Sequence, residues 1–221
     1  MTDSIPDDAF AAHEARRVEV AGALRELVHA YVGHEHDDAT LDALRDWARS
    51  RTAELRAGAP RDRASVMRRA SPGLPPAEWR PAARAGFEDR AVAGHANPTS
   101  IEYQTWRDGD VMYADITLDS AFEGAPGRAH GGIVAAAFDD FTGAVIGMIQ
   151  EPAFTGELTV RFVRPVPVHK PLRFRTWLES RDGRKLYINA EAHDGDTLVA
   201  TCHATYITVD PAIFAQSPDP R

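Results

Sequence analysis

The segment from Gly127 to Ile149, GRAHGGIVAAAFDDFTGAVIGMI, sets a Gly-Gly pair, a run of small residues and two adjacent carboxylates inside an otherwise apolar stretch. At the α-helical advance of about 100° per residue, Ile133, Val134, Ala137, Phe138, Phe141, Ala144, Val145 and Met148 fall on one broad face. Gly132, Ala136, Gly143 and Gly147 fall together on another. Glycine costs helix propensity, so this stripe predicts a close approach of other groups there. Asp139 and Asp140 flank the stripe, with Asp139 directed away from the apolar face. Taken alone, the pattern describes a core helix with two solvated or satisfied acids.

The stretches on either side tell what such a helix would pack against. Residues 101–106 (IEYQTW) and 111–118 (VMYADITL) are β-rich and separated by Arg107-Asp108-Gly109-Asp110, a hairpin signal. After the helix, Glu157 to Arg164, Pro171 to Ser180, Arg184 to His193 and Thr197 to Val209 alternate with period two. Leu158, Val160 and Phe162 share one face, as do Leu172, Phe174, Thr176 and Leu178. Asp182-Gly183 and Asp194-Gly195 mark two more hairpins. The expected architecture is α+β: a curved antiparallel sheet of five or six strands wrapped around one long central helix.

Upstream, Val20, Leu24, Leu27, Val28 and Tyr31 recur at helical spacing, and so do Leu41, Leu44, Ala48 and Leu55, the latter run ending at Gly58 and Pro60. The pair reads as an αα-hairpin extension. In the connecting GHEHDDA, His34 and His36 alternate with acids but define no ligand geometry, so a solvated connector is expected and no metal. Residues 61–86 are rich in Arg and Pro without a sustained period and read as a linker or wrapping segment, with Trp79 as its anchor. The expected division is therefore 1–60 helical hairpin, 61–86 linker, 87–210 main domain and 211–221 tail.

Composition bounds the function. A chain of 221 residues with 43% hydrophobic content can bury a core, and a net charge of −8 disfavours nucleic acid as a partner. The acidic start MTDSIPDDAF lacks the pattern of a signal peptide, and the carboxylates in the apolar helix disfavour a membrane span. Cys202 is the one cysteine, which permits no internal disulfide and reads as a packing residue in a reducing compartment; a cytoplasmic location is expected.

The succession of a hairpin, AFEGAPGRAHGG (121–132), a long helix carrying Asp139, TGELTVRFVRPVPV (155–168) and a meander resembles the hotdog-fold acyl-CoA thioesterases, in particular the phenylacetate-degradation (PaaI-like) type. The resemblance covers roughly 87–210 and extends to Ser71-Pro72, Gly94 and Asn97-Pro98 in the approach to the domain. It rests on the acid nine positions after His130, on Thr155 sixteen positions after that acid, and on Arg164-Pro165-Val166-Pro167. Hydratases of the same fold carry a related motif, but GHANP (94–98) lacks its leading Asp and trailing His. The resemblance implies an acyl-CoA substrate, no separate cofactor, and a homodimer or dimer of dimers with active sites at the subunit interface.

The residues supply parts for that chemistry. Thioester hydrolysis needs donors for the developing oxyanion and a group to activate water or attack the carbonyl. Amides at a helix N-terminus polarise an acceptor, and Gly131 and Gly132 have no side chains to bar its approach. Asp139 is the candidate base or nucleophile, expected in an apolar pocket. From Gly131 to Asp139 is ~12 Å along an α-helix, so both reach one carbonyl only if two copies pack about a two-fold axis. The motif match assigns Thr155 to orienting the attacking water, with a structural strand-edge role as the other reading. His130 is read as a positioning group. Asp140, on the border of the core face, is expected to hydrogen-bond across the helix or to cap a loop. Arg164, and after it Arg161 and Lys170, are candidates for the coenzyme A phosphates; Phe138, Phe141 and Trp177 would line an acyl pocket or the core. The other function class left open is a non-catalytic hotdog module that binds acyl-CoA or a protein.

Overall fold

Three two-residue turns organise the sheet, and each has a glycine in the left-handed region: Gly109 (φ 55°), Gly183 (φ 56°) and Gly195 (φ 56°). Such turns twist in the sense that antiparallel strands require. In the computed structural model, which describes residues 7–63, 66 and 88–210, they join β1 (Tyr103–Asp108) to β2 (Val111–Thr117), β6 (Pro171–Asp182) to β7 (Lys185–Asp194), and β7 to β8 (Thr197–Thr208). With β5 (Ala153–Phe162) these form one six-stranded antiparallel sheet in the order β1-β2-β6-β7-β8-β5. A small ladder of β3 (Glu123–Ala125) and β4 (Arg128–Ala129) leads into the long helix. The linker's Trp79, Ser71-Pro72 and the tail at 211–221 lie outside the described residues.

Helices α1 (Asp7–Gly33) and α2 (Asp38–Arg56) precede the sheet, and α3 (Gly131–Ile149) lies against it. Val134, Ala137, Phe138, Phe141 and Val145 of α3 are fully buried, and Phe138 and Phe141 meet Phe174 of β6 at ring-centroid distances of 5.0 and 6.1 Å. Burying each such side chain is worth about 1.5–3 kcal/mol. Phe138 and Phe141 are therefore core, whereas Trp177 lies on the outer face of the sheet with the Arg175 guanidinium 5.5 Å from its ring. This is the hotdog arrangement: a sheet curled over one helix.

One strand begins earlier than period two suggests. β5 starts at Ala153, pairs Thr155 with Tyr206, and shifts register between Thr155 and Glu157. The irregularity falls at Gly156, where a Cβ would approach Ile207 Cγ1 to 3.1 Å. A bulge breaks the alternation, so the residues before it are out of phase with those after it. At the far end of the strand Phe162 keeps the phase of Leu158 and Val160 but is half exposed, its ring beside the N-terminus of α3.

The N-terminal helices form where the apolar spacing puts them, but they pack differently. The face of α1 that docks is the polar and small one: Glu14, Ala21 and Arg25 are buried, while Val20, Leu27, Val28 and Tyr31 are exposed. Arg25 Nη1 donates to Asn97 O (2.8 Å) and Ser100 Oγ (3.1 Å). Arg61 donates to both Glu14 carboxylate oxygens at 3.1 and 2.7 Å, and to Asp89 at 3.1 Å. His29 Nδ1 accepts from Ala121 N–H at 3.1 Å. Helix α2, capped by Asp37 through Thr40 N–H, has no buried residue, and its Leu41 and Leu55 are exposed. Between them His34 and His36 bond the carbonyls of Ala30 and Tyr31. Among the described residues no three His, Cys, Asp or Glu side chains converge to hold a metal.

The segment that receives α1 explains its own sequence. At Gly94 any Cβ would lie 2.3 Å from Arg90 N and from Glu88 O, so only glycine fits. Asn97 Nδ2 donates to Arg90 O at 3.0 Å, and Ser100 Oγ donates to Gly94 O at 2.7 Å. The GHANP stretch is thus a buttress between α1 and the sheet domain.

Candidate active site

The site has two halves on one helix. Its first half is the N-terminus of α3, where His130 is the N-cap and its Nδ1 accepts from Gly132 N–H at 3.0 Å. A capping acceptor satisfies an amide that would otherwise be free. The Gly132 amide, expected to face a substrate, is therefore occupied, and the bond leaves the neutral imidazole proton on Nε2. Gly131 N–H has no acceptor among the described residues, and a Cβ at Gly131 would stand 3.3 Å from Phe162 Cζ. Glycine here admits an aromatic ring to the helix end.

An open cleft of about 570 Å³ adjoins that end, lined among others by Arg128, His130, Gly131, Phe162, Val163 and Arg164. Val163 and Phe162 are exposed in it. Arg164 holds its place by donating from Nη1 to Leu198 O at 3.0 Å. Of the three cations suggested for a phosphate-bearing ligand, Arg164 is in the cleft. Arg161 and Lys170 are not among its lining residues, and Lys170 lies 3.6 Å from Asp194. Arg128 was not singled out in the sequence, because only the β3–β4 ladder brings it to the cleft that Arg164 also lines.

The second half is the middle of α3. Asp139 is exposed, and Thr155 Oγ1 donates to its Oδ1 at 3.0 Å. The spacing of acid and threonine thus corresponds to a direct contact between helix and strand. The apolar pocket expected around Asp139 is not supplied by its own chain. Along the small-residue stripe Gly132 is exposed, Ala136 and Gly143 are half-buried, and Gly147 is buried. Below the carboxylate, the hydroxyl of Tyr206 donates to Asp139 O at 3.0 Å and lies 2.9 Å from Thr142 Oγ1.

Asp140, one residue on, has a structural task. It accepts a short hydrogen bond from Tyr103 Oη and pairs with Arg90 at 3.6 Å, which ties α3 to β1 and to the GHANP buttress. Cys202 is fully buried in the sheet, and burial pushes its thiol up to about 12, so it is a packing group and not a nucleophile.

Comparisons with known proteins bear on the fold. The thioesterase superfamily profile matches residues 126–201. The chain is 32% identical over 130 residues to acyl-coenzyme A thioesterase THEM4 of Bos taurus, covering 57% of this chain and 50% of that one. It is 29% identical over 99 residues to acyl-coenzyme A thioesterase THEM5 of Homo sapiens, covering 45% and 40%. The chain thus spans half or less of the length of these curated relatives. Among solved structures, protein RHA08564, a thioesterase superfamily protein, superposes with a TM-score of 0.68 at 20% identity, covering 86% of this chain and 94% of that one. The matched segment contains the helix N-terminus, Asp139, Thr155 and the cleft arginines, and the chain shares the hotdog fold of that structure.

Proposed function

We propose that this protein hydrolyses an acyl-CoA thioester to a free acid and coenzyme A, with Asp139 as general base at a subunit interface. The observation that carries the proposal is the Thr155 Oγ1–Asp139 Oδ1 bond of 3.0 Å on the open side of α3. A hydroxyl donor on one carboxylate oxygen fixes the other to take a proton from water. The hydroxide so formed adds to the thioester carbonyl, the C–S bond breaks, and the coenzyme A thiolate leaves and is protonated. The names of the THEM4 and THEM5 relatives support this substrate class.

Two copies complete the site. Strand β5 ends the sheet, with β8 its one neighbour, and it exposes Phe154 and Phe162. An edge of this kind invites pairing with another strand. Two-fold pairing there, beside the open stripe of α3, brings Gly131 N–H and the Nε2–H of His130 in one subunit toward Asp139 of the partner subunit. Those donors, with the helix dipole behind them, stabilise the oxyanion. Arg128 and Arg164 bind the phosphates of the coenzyme, while Phe162 and Val163 cover its pantetheine arm.

The test is thiol release from a panel of acyl-CoAs of different chain length and aromatic character, read with a thiol reagent. Turnover on at least one member is expected. Saturable binding without turnover across the panel would identify a non-catalytic module instead.

A further inference from the structure

We infer that Tyr206 is a positioning residue for Asp139, locking the helix that carries the acid to the strand pair that carries Thr155. Three elements meet at its hydroxyl. The residue stands on β8 directly across from Thr155 of β5, at the last paired position before the bulge. Its ring is buried (4% exposed), and its hydroxyl donates to Asp139 O at 3.0 Å. Thr142 Oγ1, 2.9 Å from that hydroxyl, reaches Phe138 O at 2.9 Å and Asp139 O at 3.1 Å.

The geometry gives this cluster a task beyond packing. A mid-helix carbonyl is ordinarily satisfied by the amide four residues later, so the extra donors on Asp139 O fix where the Asp139 peptide sits relative to the sheet. The side chain of Asp139 leaves that peptide on the open side and meets Thr155 at 3.0 Å. A shift of α3 along the sheet would separate acid from hydroxyl while leaving the apolar core in contact. Burial pushes the Tyr206 phenol up from its ordinary value, so it remains a neutral donor at physiological pH.

The kinetic half of the test rests on the thioesterase reading; the structural half does not. In Tyr206→Phe, which keeps the ring, kcat is expected to fall about tenfold with KM nearly unchanged, the rate equivalent of one net hydrogen bond. The same change in a Thr155→Val background is expected to cost less, because the contact it protects is already gone. Crystal structures of wild type and Tyr206→Phe are expected to differ in the separation of Thr155 Oγ1 and Asp139 Oδ1. Should Tyr206→Phe not fold, Thr142→Val removes the other hydroxyl of the cluster and is read in the same way. A folded Tyr206→Phe protein with wild-type kcat, or with the carboxylate unmoved, overturns the assignment. Absence of turnover by the wild-type protein sinks the thioesterase reading alone, and the pair of crystal structures then decides the role of Tyr206.

Discussion

The two ends of the functional helix differ in what holds them. The N-terminus of α3 is defined by backbone: an N-cap histidine, a glycine against the Phe162 ring and a cleft with two arginines. The middle is defined by side chains from other elements, Thr155 on β5 and Tyr206 on β8, converging on one aspartate. The first is equipped to bind and polarise, the second to hold an acid in place. If both act on one carbonyl, as proposed above, their separation by about 12 Å on one rigid rod calls for a second subunit.

The comparison breaks most visibly at Asp139. Asp139→Asn is expected to lower kcat at least ~10³-fold, as for loss of a general base, with folding and oligomeric state intact; steady-state thiol release with size-exclusion chromatography checks both. Asp140→Asn is expected to weaken the α3–β1 tie and to act mainly on stability. Wild-type turnover by a folded Asp139→Asn protein would remove the acid from the mechanism.

At the other end, Gly131→Ala pushes the Phe162 ring against the helix terminus, and kcat/KM is expected to fall about 10²-fold, the scale of one oxyanion donor. If the two halves of a site come from different subunits, mixing the impaired Asp139→Asn and Gly131→Ala chains by co-refolding restores about a quarter of the sites, since half the dimers are mixed and each has one intact pair. No recovery on mixing places both halves in one chain.

Smaller effects belong to the N-terminal helix. Arg25→Ala leaves Asn97 O and Ser100 Oγ without their buried donor and is expected to cost about 1–3 kcal/mol of stability, read by denaturant unfolding. His29 sharpens the same contact through pH. Burial lowers its pKa from 6.5, Arg25 and His169 add to that lowering, and Asp119 opposes it. The neutral ring accepts from Ala121 N–H; the unfolded chain takes up a proton first as pH falls. Stability is therefore expected to decline as pH drops below 6.5 toward the folded-state value. His29→Gln, which keeps an acceptor, is expected to flatten that dependence in thermal melts at a series of pH values.

Side-chain period and turn residues made most of the sheet domain legible. The Gly-containing turns, the inward Leu172, Phe174 and Thr176, and the apolar face of α3 all follow from local pattern. The nine-residue step from His130 to Asp139 and the sixteen-residue step to Thr155 pointed to an acid and a hydroxyl that do touch. Less was legible where contacts are polar or irregular. The bulge at Gly156 hid the start of β5. In α1 the apolar stripe forecast the helix but not its docked face, because buried Arg25 and Glu14 and half-buried His29 are held by directional partners supplied from elsewhere in the chain. Tyr206 looked like any alternating strand residue, since its distinction is a hydroxyl aimed at a helix carbonyl.

By itself, then, the sequence determined most of the helix and strand segments, the hairpin turns between strands, and the glycines at the helix entry. These are properties of spacing, turn conformation and apolar period along one chain. Only the tertiary structure decided that Arg128 joins Arg164 in the cleft, that His130 takes the Gly132 amide, that Asp140 belongs to Tyr103 and Arg90, and that the acid is open to solvent. Hydrogen bonds and clefts depend on distances between residues far apart in the chain, and such distances exist only once the sheet has curled around its helix.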